Sequence, residues 1–324
     1  MRKTLQLFIV TVILLSAMGT IIIYDASKVT LKTAKQEYAS QNFKKSYLNF
    51  LKLSSQANPE ADYYLGSMYL DGLYVKQDTE TAFEYFLKAA RAGHAVSQYN
   101  VSLMYLDGQG VQQNKEQFLF WTQKAAEQNL PAALVNLSVL YLSGSEEEKD
   151  IAQALSCLNQ AAQQGWAPAQ GRLAALYLGG LFSIPQDIPQ GLAYLQQAVE
   201  KGETSCQYLL GVISFFAPEI THLSRQQGLQ LLNEAGMKHN PHALLMLSVI
   251  ARENGRTELA DKLTLMLNRD TRLTDLAKTT LRMNLLELYQ DVSNQSFESQ
   301  EKKLEFILEK LGISTIEPVG VLEY

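Results

Sequence analysis

Two pairs of residues in this sequence could in principle hold a metal or do thiol chemistry. His239 and His242 have a spacing that could suit a metal ion, but Pro241 lies between them at a predicted turn and neither cysteine is near them in the sequence. A zinc site needs three or four nitrogen, sulfur or oxygen ligands together. We therefore expect no metal site. His94 lies at an equivalent turn, where we expect a solvated loop residue.

The two cysteines, Cys157 and Cys206, fall on different predicted helices with a whole helix pair between them. Neighbouring helices pack roughly 8–10 Å apart, whereas the Cα atoms of a disulfide lie within about 7 Å. A disulfide is therefore not expected. Both cysteines occupy positions that other parts of the chain fill with core residues, so we predict buried, unreactive thiols.

Two further motifs resemble functional sites without completing one. Gly108-Gln109-Gly110 could begin a phosphate-binding loop, but the downstream glycine and the Lys-Ser/Thr pair are missing, so a turn is predicted. Glu146-Glu147-Glu148 is interpreted as a solvated loop, with contact to a basic partner as the alternative. We find no catalytic apparatus, and we predict that the protein is not an enzyme and has no cofactor.

The composition indicates a helical protein. The chain has 324 residues, of which 47% are hydrophobic, and it contains only 8 prolines, the strongest helix breakers. Its net charge is −5 and its basic residues are scattered, which argues against a nucleic-acid partner because phosphates are bound by clustered lysine and arginine. No small-molecule substrate is evident.

The N-terminal segment predicts a membrane anchor. Leu5 to Tyr24 is an uncharged, apolar stretch of about 20 residues, the length that spans a bilayer as a helix. Arg2 and Lys3 precede it, and a short basic tail of this kind usually stays in the cytoplasm. We expect a single-pass inner-membrane protein with a cytoplasmic N-terminus and the rest of the chain in the periplasm. The alternative is secretion to the periplasm after signal cleavage.

The rest of the chain repeats every 36 or 37 residues. A column of small residues is followed, four residues later, by a mostly leucine column and, eight residues later, by an aromatic column, all on one face of a helix. We expect the aromatic column to be buried between helices. The small residues are Ala61, Ser97, Ala133, Ala169, Cys206 and Ala243, and the aromatic ones are Tyr69, Tyr105, Tyr141 and Tyr177.

A second helix in each repeat is predicted from its start and stop signals. Residues that cap helix N-termini recur in phase, and residues that tolerate a left-handed C-terminal turn follow at a constant spacing. The predicted caps are Asp78, Asn114, Asp150, Asp187 and Ser224, and the predicted stops are Gly93, Asn129, Gly165 and Gly202.

The residues of these columns resemble the Sel-one-like repeat (SLR), a branch of the tetratricopeptide superfamily. The first repeat carries Leu65-Gly66, Tyr69, Asp71-Gly72 and Lys88-Ala89-Ala90, and the second repeat matches the pattern still better. In the fifth repeat, Phe215-Phe216-Ala217-Pro218 replaces the glycine-rich turn. The resemblance implies an all-α solenoid of about six helix-turn-helix repeats with capping helices, preceded by the N-terminal transmembrane helix.

This interpretation divides the chain into five parts. They are the membrane anchor (1–25), an N-terminal capping helix pair (26–58), the repeat solenoid (59–268), C-terminal capping helices (269–311) and a tail (312–324).

By analogy with tetratricopeptide arrays, the first helix of each repeat should line a groove. The predicted binding residues are Tyr63, Tyr99, Leu103, Val135 and Val139, with Gly171 and Ala175 at the equivalent positions of the fourth repeat. Such a surface would suit an apolar peptide, an amphipathic helix, or the chain's own C-terminal helices in an autoinhibited state. The alternative is that the helical phase differs by one position and these residues pack between repeats.

The resemblance implies a scaffold or adaptor that gathers partner proteins at the cell envelope. Two other functions stay open. One is an envelope enzyme acting on cell-wall material, because some relatives with regular cysteine pairs in each repeat have been called β-lactamases, although this chain lacks such pairs. The other is a membrane-associated chaperone.

Overall fold

A computed structural model of the protein describes residues 29–143, 149–268 and 274–313, and this part of the chain is entirely α-helical. Within these ranges, no helix is both long and apolar enough to cross a membrane. The predicted anchor at Leu5 to Tyr24 and the acidic run at residues 146–148 lie outside them.

The chain divides after Leu130 into two compact units. In unit 1 the described helices are α1 (Leu31–Ala39), α2 (Phe43–Ser54), α3 (Pro59–Asp71), α4 (Thr79–Arg91), α5 (Ala95–Asp107) and α6 (Lys115–Glu127). In unit 2 they are α7 (Pro131–Leu142), α8 (Ile151–Gln163), α9 (Ala167–Gly179), α10 (Ile188–Glu200), α11 (Thr204–Phe216), α12 (Pro218–Thr221), α13 (Arg225–Met237), α14 (Pro241–Glu253), α15 (Thr257–Asn268), α16 (Asp275–Asn294) and α17 (Gln300–Lys310).

Within each unit, consecutive helices form antiparallel pairs, such as α3 with α4, and the pairs stack in series. The second helix of one pair packs on the first helix of the next. These contacts are α2 on α3 and α4 on α5 in unit 1, and α8 on α9, α10 on α11 and α13 on α14 in unit 2. This is the arrangement expected of solenoid repeats, in which each unit buries its apolar face against a neighbour. The predicted all-α repeat fold is confirmed for the described residues.

The predicted caps start the second helix of each repeat. The side chains of the five cap residues accept a hydrogen bond from the backbone N–H three residues later. The backbone N–H of the cap residue also donates to the carbonyl of the aromatic column, for example from Asp78 to Tyr69 at 2.9 Å and from Asn114 to Tyr105 at 2.9 Å. The same bond recurs from Asp150 and Asp187. It ties the two helices of a repeat together at their turn.

The aromatic column is half-buried, not buried as expected. Tyr69 stacks on Tyr85 with ring centroids 5.6 Å apart, and Tyr105 meets Phe83 edge-on at 5.3 Å. Tyr69 also meets the ring of Tyr47 edge-on at 6.1 Å. A half-buried position suits tyrosine, because the ring packs while the hydroxyl reaches a polar partner. The hydroxyl of Tyr69 forms a hydrogen bond with that of Tyr47 at 2.8 Å.

The predicted stop residues have left-handed backbone conformations, with φ of 88° at Gly93 and 57° at Asn129. The motif Gly108-Gln109-Gly110 is a turn, as predicted. Gly110 has φ of 65°, and a Cβ atom there would lie 2.1 Å from the carbonyl oxygen of Thr79. Only glycine fits this close approach to the start of α4.

The fifth and sixth repeats are closed by the C-terminal helices. Phe215 and Phe216, which replace the glycine-rich turn, are buried, and the ring of Tyr289 on α16 lies 6.4 and 6.0 Å from theirs. The same core contains Leu285 and Leu288 of α16 and Leu304, Ile307 and Leu308 of α17. The aromatic end of α11 is therefore the surface on which the C-terminal helices pack.

Candidate functional site

A groove in unit 2 encloses a cavity of about 600 Å³. The first helices of successive repeats, α7, α9, α11 and α14, contribute most of its lining, and we call it the unit-2 groove. Two residues that follow α17, Leu311 and Ile313, line it as well. Its size lies within the range of roughly 300–1,000 Å³ typical of ligand clefts.

Small and apolar side chains shape the middle of the groove. Val139 of α7, Gly171 and Ala175 of α9, and Tyr208 of α11 are half-buried around it. A Cβ atom at Gly171 would lie 2.7 Å from the sulfur of Cys206, so glycine is what allows α9 and α11 to approach at this point. The surface between these helices can take apolar groups from another chain.

The exposed surface of the lining is mainly apolar, but polar side chains also contribute to it. They include Arg172, Glu203, Asn240 and His242, and the ring of His242 lies 5.7 Å from that of Tyr208. Burial raises the pKa of the Tyr208 hydroxyl above its usual value. Burial, together with the charge of Glu203, raises the pKa of the Cys206 thiol to about 12. The thiol is therefore protonated at neutral pH and is no nucleophile.

The structure separates the predicted binding residues into two groups. Val139 lines the unit-2 groove, and Tyr63 and Leu103 of unit 1 are half-buried. Tyr99 is only 7% exposed and Val135 is fully buried, so the expectation that these two side chains are exposed is wrong. Partner binding by any of the five stays a prediction.

The position of Tyr63 explains the correction. Its ring contacts Phe86 of the same repeat, with centroids 5.9 Å apart, and His94 at the start of the next repeat, at 5.2 Å. In the first repeat, the position two residues after the small column therefore packs against the next repeat. This is what the alternative helical phase predicts. In α7, Val135 belongs to a run of buried residues from Ala133 to Ser138, because this helix has apolar side chains on most of its faces.

His94 is not a solvated loop residue. It is the N-cap of α5: its Nδ1 atom accepts a hydrogen bond from the backbone N–H of Ser97 at 3.3 Å. Burial lowers the pKa of its imidazole, which favours the neutral ring that this acceptor role requires. In the part of the chain that the structure describes, no group of histidine, cysteine, aspartate and glutamate could hold a metal ion.

The two cysteines are buried and unpaired, at 5% exposure for Cys157 and 6% for Cys206. The prediction of core thiols is confirmed. Burial also raises the pKa of Cys157.

A column of buried polar residues escaped the sequence prediction. It immediately follows the small column and includes Asp62, Gln98, Gln170 and Gln207. Gln98 donates to the carbonyl of Ala90 in the preceding repeat at 3.2 Å and accepts from Gln128 at 2.7 Å. A buried polar group is costly unless it is hydrogen-bonded, so these bonds set the register of one repeat on the next. The polar residue that follows the small one in four of the six repeats was the available signal.

In the first repeat the same position brings three reactive side chains together. Lys88 Nζ lies 2.8 Å from both Asp62 Oδ1 and Ser54 Oγ, and the Asp62 side chain is 2% exposed. A serine–lysine pair can act as nucleophile and base, but only when the lysine is neutral. Here the lysine is in an ion pair with Asp62, and the cluster joins α2 to the first repeat.

Comparison with known proteins agrees with this architecture. The Sel1 repeat family matches four consecutive segments, residues 59–94, 95–130, 131–166 and 167–203. An uncharacterized Sel1-like repeat-containing protein of Schizosaccharomyces pombe is 32% identical over 74 residues, which is 23% of this chain and 11% of that protein. The chain thus spans only a small part of that relative.

Two solved structures have a similar fold. The crystal structure of a Sel1 repeat protein from Oxalobacter formigenes superposes with a TM-score of 0.68 at 26% identity, covering 74% of this chain and 99% of that one. A protective antigen of uropathogenic Escherichia coli strains with an SLR fold superposes with a TM-score of 0.60 at 20% identity, covering 84% of this chain and 62% of that one.

The matched segments begin at the first helix of each pair and contain the capped turns, the small-residue column and the left-handed stops described above. By its sequence pattern, its helix pairs and these comparisons, the chain contains four consecutive segments, residues 59–203, that match the Sel1 repeat family.

Proposed function

We propose that this protein is a scaffold or adaptor that holds an apolar segment of a partner protein in the unit-2 groove. The observation that carries the proposal is the groove itself, a cavity of about 600 Å³ with a mainly apolar lining on the first helices of unit 2. Contiguous apolar surfaces of this kind mark interaction sites more often than inert ones.

The lining favours a segment with a few apolar anchors. Side chains inserted beside Val139 and Ala175 would be removed from water, and such burial supplies most of the binding energy at protein interfaces. Arg172 and Glu203 lie at the same surface and can orient the polar groups of the partner. A peptide or an amphipathic helix has this chemistry.

The test is capture of partners by the purified, immobilised full chain. Val139→Asp and Ala175→Asp each place a charge in the groove and should weaken capture at least about tenfold, equivalent to about 1.4 kcal/mol. Met237→Asp is the matched control, because this side chain is 72% exposed on α13 and does not line the groove. It should capture partners as the unmodified chain does.

Circular dichroism and thermal melting show whether each variant is folded. If a folded Val139→Asp or Ala175→Asp protein captures the same partners as strongly as the control, the groove is not the binding surface.

We propose further that the scaffold is anchored in the inner membrane by Leu5 to Tyr24, with its repeats in the periplasm. This rests on the length and apolar composition of that segment. No specific observation among the described residues favours either alternative, a cell-wall enzyme or a membrane-associated chaperone.

A further inference from the structure

The chain leaves its last helix directly beside the unit-2 groove. After α17 ends at Lys310, Gly312 adopts a left-handed conformation with φ of 74°, and its N–H donates to the carbonyl of Glu309 at 2.9 Å. Leu311 and Ile313, on either side of Gly312, both line the groove. Ile313 is the last residue that the structure describes, so the following residues start at the groove wall.

This exit point is held in place by the packing of α17. Leu304 and Ile307 are fully buried in the core of unit 2. Lys310 pairs with Glu287 of α16 at 2.7 Å, and Lys303 pairs with Glu219 at 3.0 Å. The position of Ile313 therefore follows from the tertiary fold.

Residues 314–324 have the composition of a groove ligand. They include Ile316, Val319, Val321, Leu322 and Tyr324. Glu317 and Glu323 are their charged residues, and none is basic. The groove lining contains one arginine, Arg172, and one glutamate, Glu203. Pro318 disfavours a continuous helix, so the segment suits an extended ligand.

The segment is also long enough. An extended chain spans about 3.3 Å per residue, so residues 314–324 reach up to roughly 36 Å. The groove crosses four first helices, α7, α9, α11 and α14. At roughly 10 Å between adjacent axes, this is a distance of about 30 Å.

We propose that residues 314–324 are an intramolecular ligand of the unit-2 groove and occupy it when no partner is bound. The inference rests on the proposed function, because a partner would have to displace this segment. A short tether gives an effective concentration on the order of millimolar, so the segment would lower the apparent affinity of a partner with similar chemistry. It also indicates what such a partner offers: an extended apolar segment with carboxylates.

Disulfide trapping in the full chain tests the proposal. In a background with Cys157→Ala and Cys206→Ala, Leu322→Cys is combined with Ala175→Cys in the groove or with Met237→Cys on the exposed face of α13. After mild oxidation at low protein concentration, peptide mass spectrometry measures the disulfide within one molecule. We expect at least about tenfold more of it for the Ala175 pair, and Val139→Cys serves as a second groove position.

Equal yields in the groove and control pairs would overturn the proposal. So would a groove disulfide found mainly between two molecules, because the segment would then occupy the groove of a second copy. Neither result depends on partner capture, so the proposed function can fail or stand independently of this one.

Discussion

Burial raises the pKa of both cysteine thiols in this protein. Cys206 lies in the groove lining, yet its thiol is 6% exposed and its pKa is raised to about 12. Cys157 is buried as well, and its pKa is also raised. Asp62 is also buried, and it forms an ion pair with Lys88 at 2.8 Å.

We predict that both thiols of the folded protein react slowly with iodoacetamide at pH 8. At this pH a thiol with a pKa of about 12 is ionised to roughly one part in ten thousand, against about a quarter for a free cysteine. Alkylation of Cys206 should therefore be more than about 100-fold slower than in the denatured chain, as measured by mass spectrometry. Rapid alkylation of Cys206 in the folded protein would show that its environment is open and polar.

The elements are built from local signals that recur along the repeats. A polar cap starts the second helix of the first five repeats, and in the first four its backbone N–H donates to the carbonyl of the aromatic column. A residue with positive φ ends that helix, as at Gly93 and Asn129. These signals involve residues of a single helix pair, which are close together in the sequence. The caps and stops could therefore be predicted. The side chains of Gln98 and Gln128 donate to the carbonyls of Ala90 and Gly93 in the preceding repeat, and this link between repeats was missed.

Two glycines provide a matched test of how tightly the repeats approach. Gly110 and Gly93 both have positive φ, so alanine at either should cost roughly 1–2 kcal/mol of backbone strain. A Cβ atom at Gly93 meets no heavy atom within 4 Å, whereas at Gly110 it would lie 2.1 Å from the Thr79 carbonyl oxygen. Gly110→Ala should therefore lower the melting temperature clearly more than Gly93→Ala. Equal losses would mean that α4 and this turn can move apart freely.

At the scale of the whole molecule, two compact units carry different surfaces. In unit 1, the predicted binding residue Tyr99 is buried and the ring of Tyr63 packs between repeats. Unit 2 contains the groove, and its C-terminal helices place Leu311 and Ile313 in the lining. The proposed partner-binding site therefore lies in unit 2. The membrane anchor proposed for residues 5–24 would tether this site to the inner membrane.

The topology proposal is tested with a reporter that is active only outside the cytoplasm, fused after Tyr324. We expect an active reporter that stays in the membrane fraction, because the uncharged stretch from Leu5 to Tyr24 would be retained as a span. The same fusion starting at Ser27 is the control and should be silent. A silent full-length fusion would refute the orientation, and a mature protein starting near residue 20 would refute the anchor.

Sequence alone determined the repeat length, the caps, the stops and the all-α fold, because each depends on residues only a few positions apart. It also indicated that Val139, Gly171 and Ala175 lie on a groove, because each lies two or six positions after the small residue of its helix, away from the packed face. It could not tell that Val135 is buried, because the side chains that cover a residue are distant in the sequence. Nor could it show that the chain returns to the groove at Ile313. The chain reaches the groove there because α16 and α17 pack in one core with Phe215 and Phe216 at the end of α11.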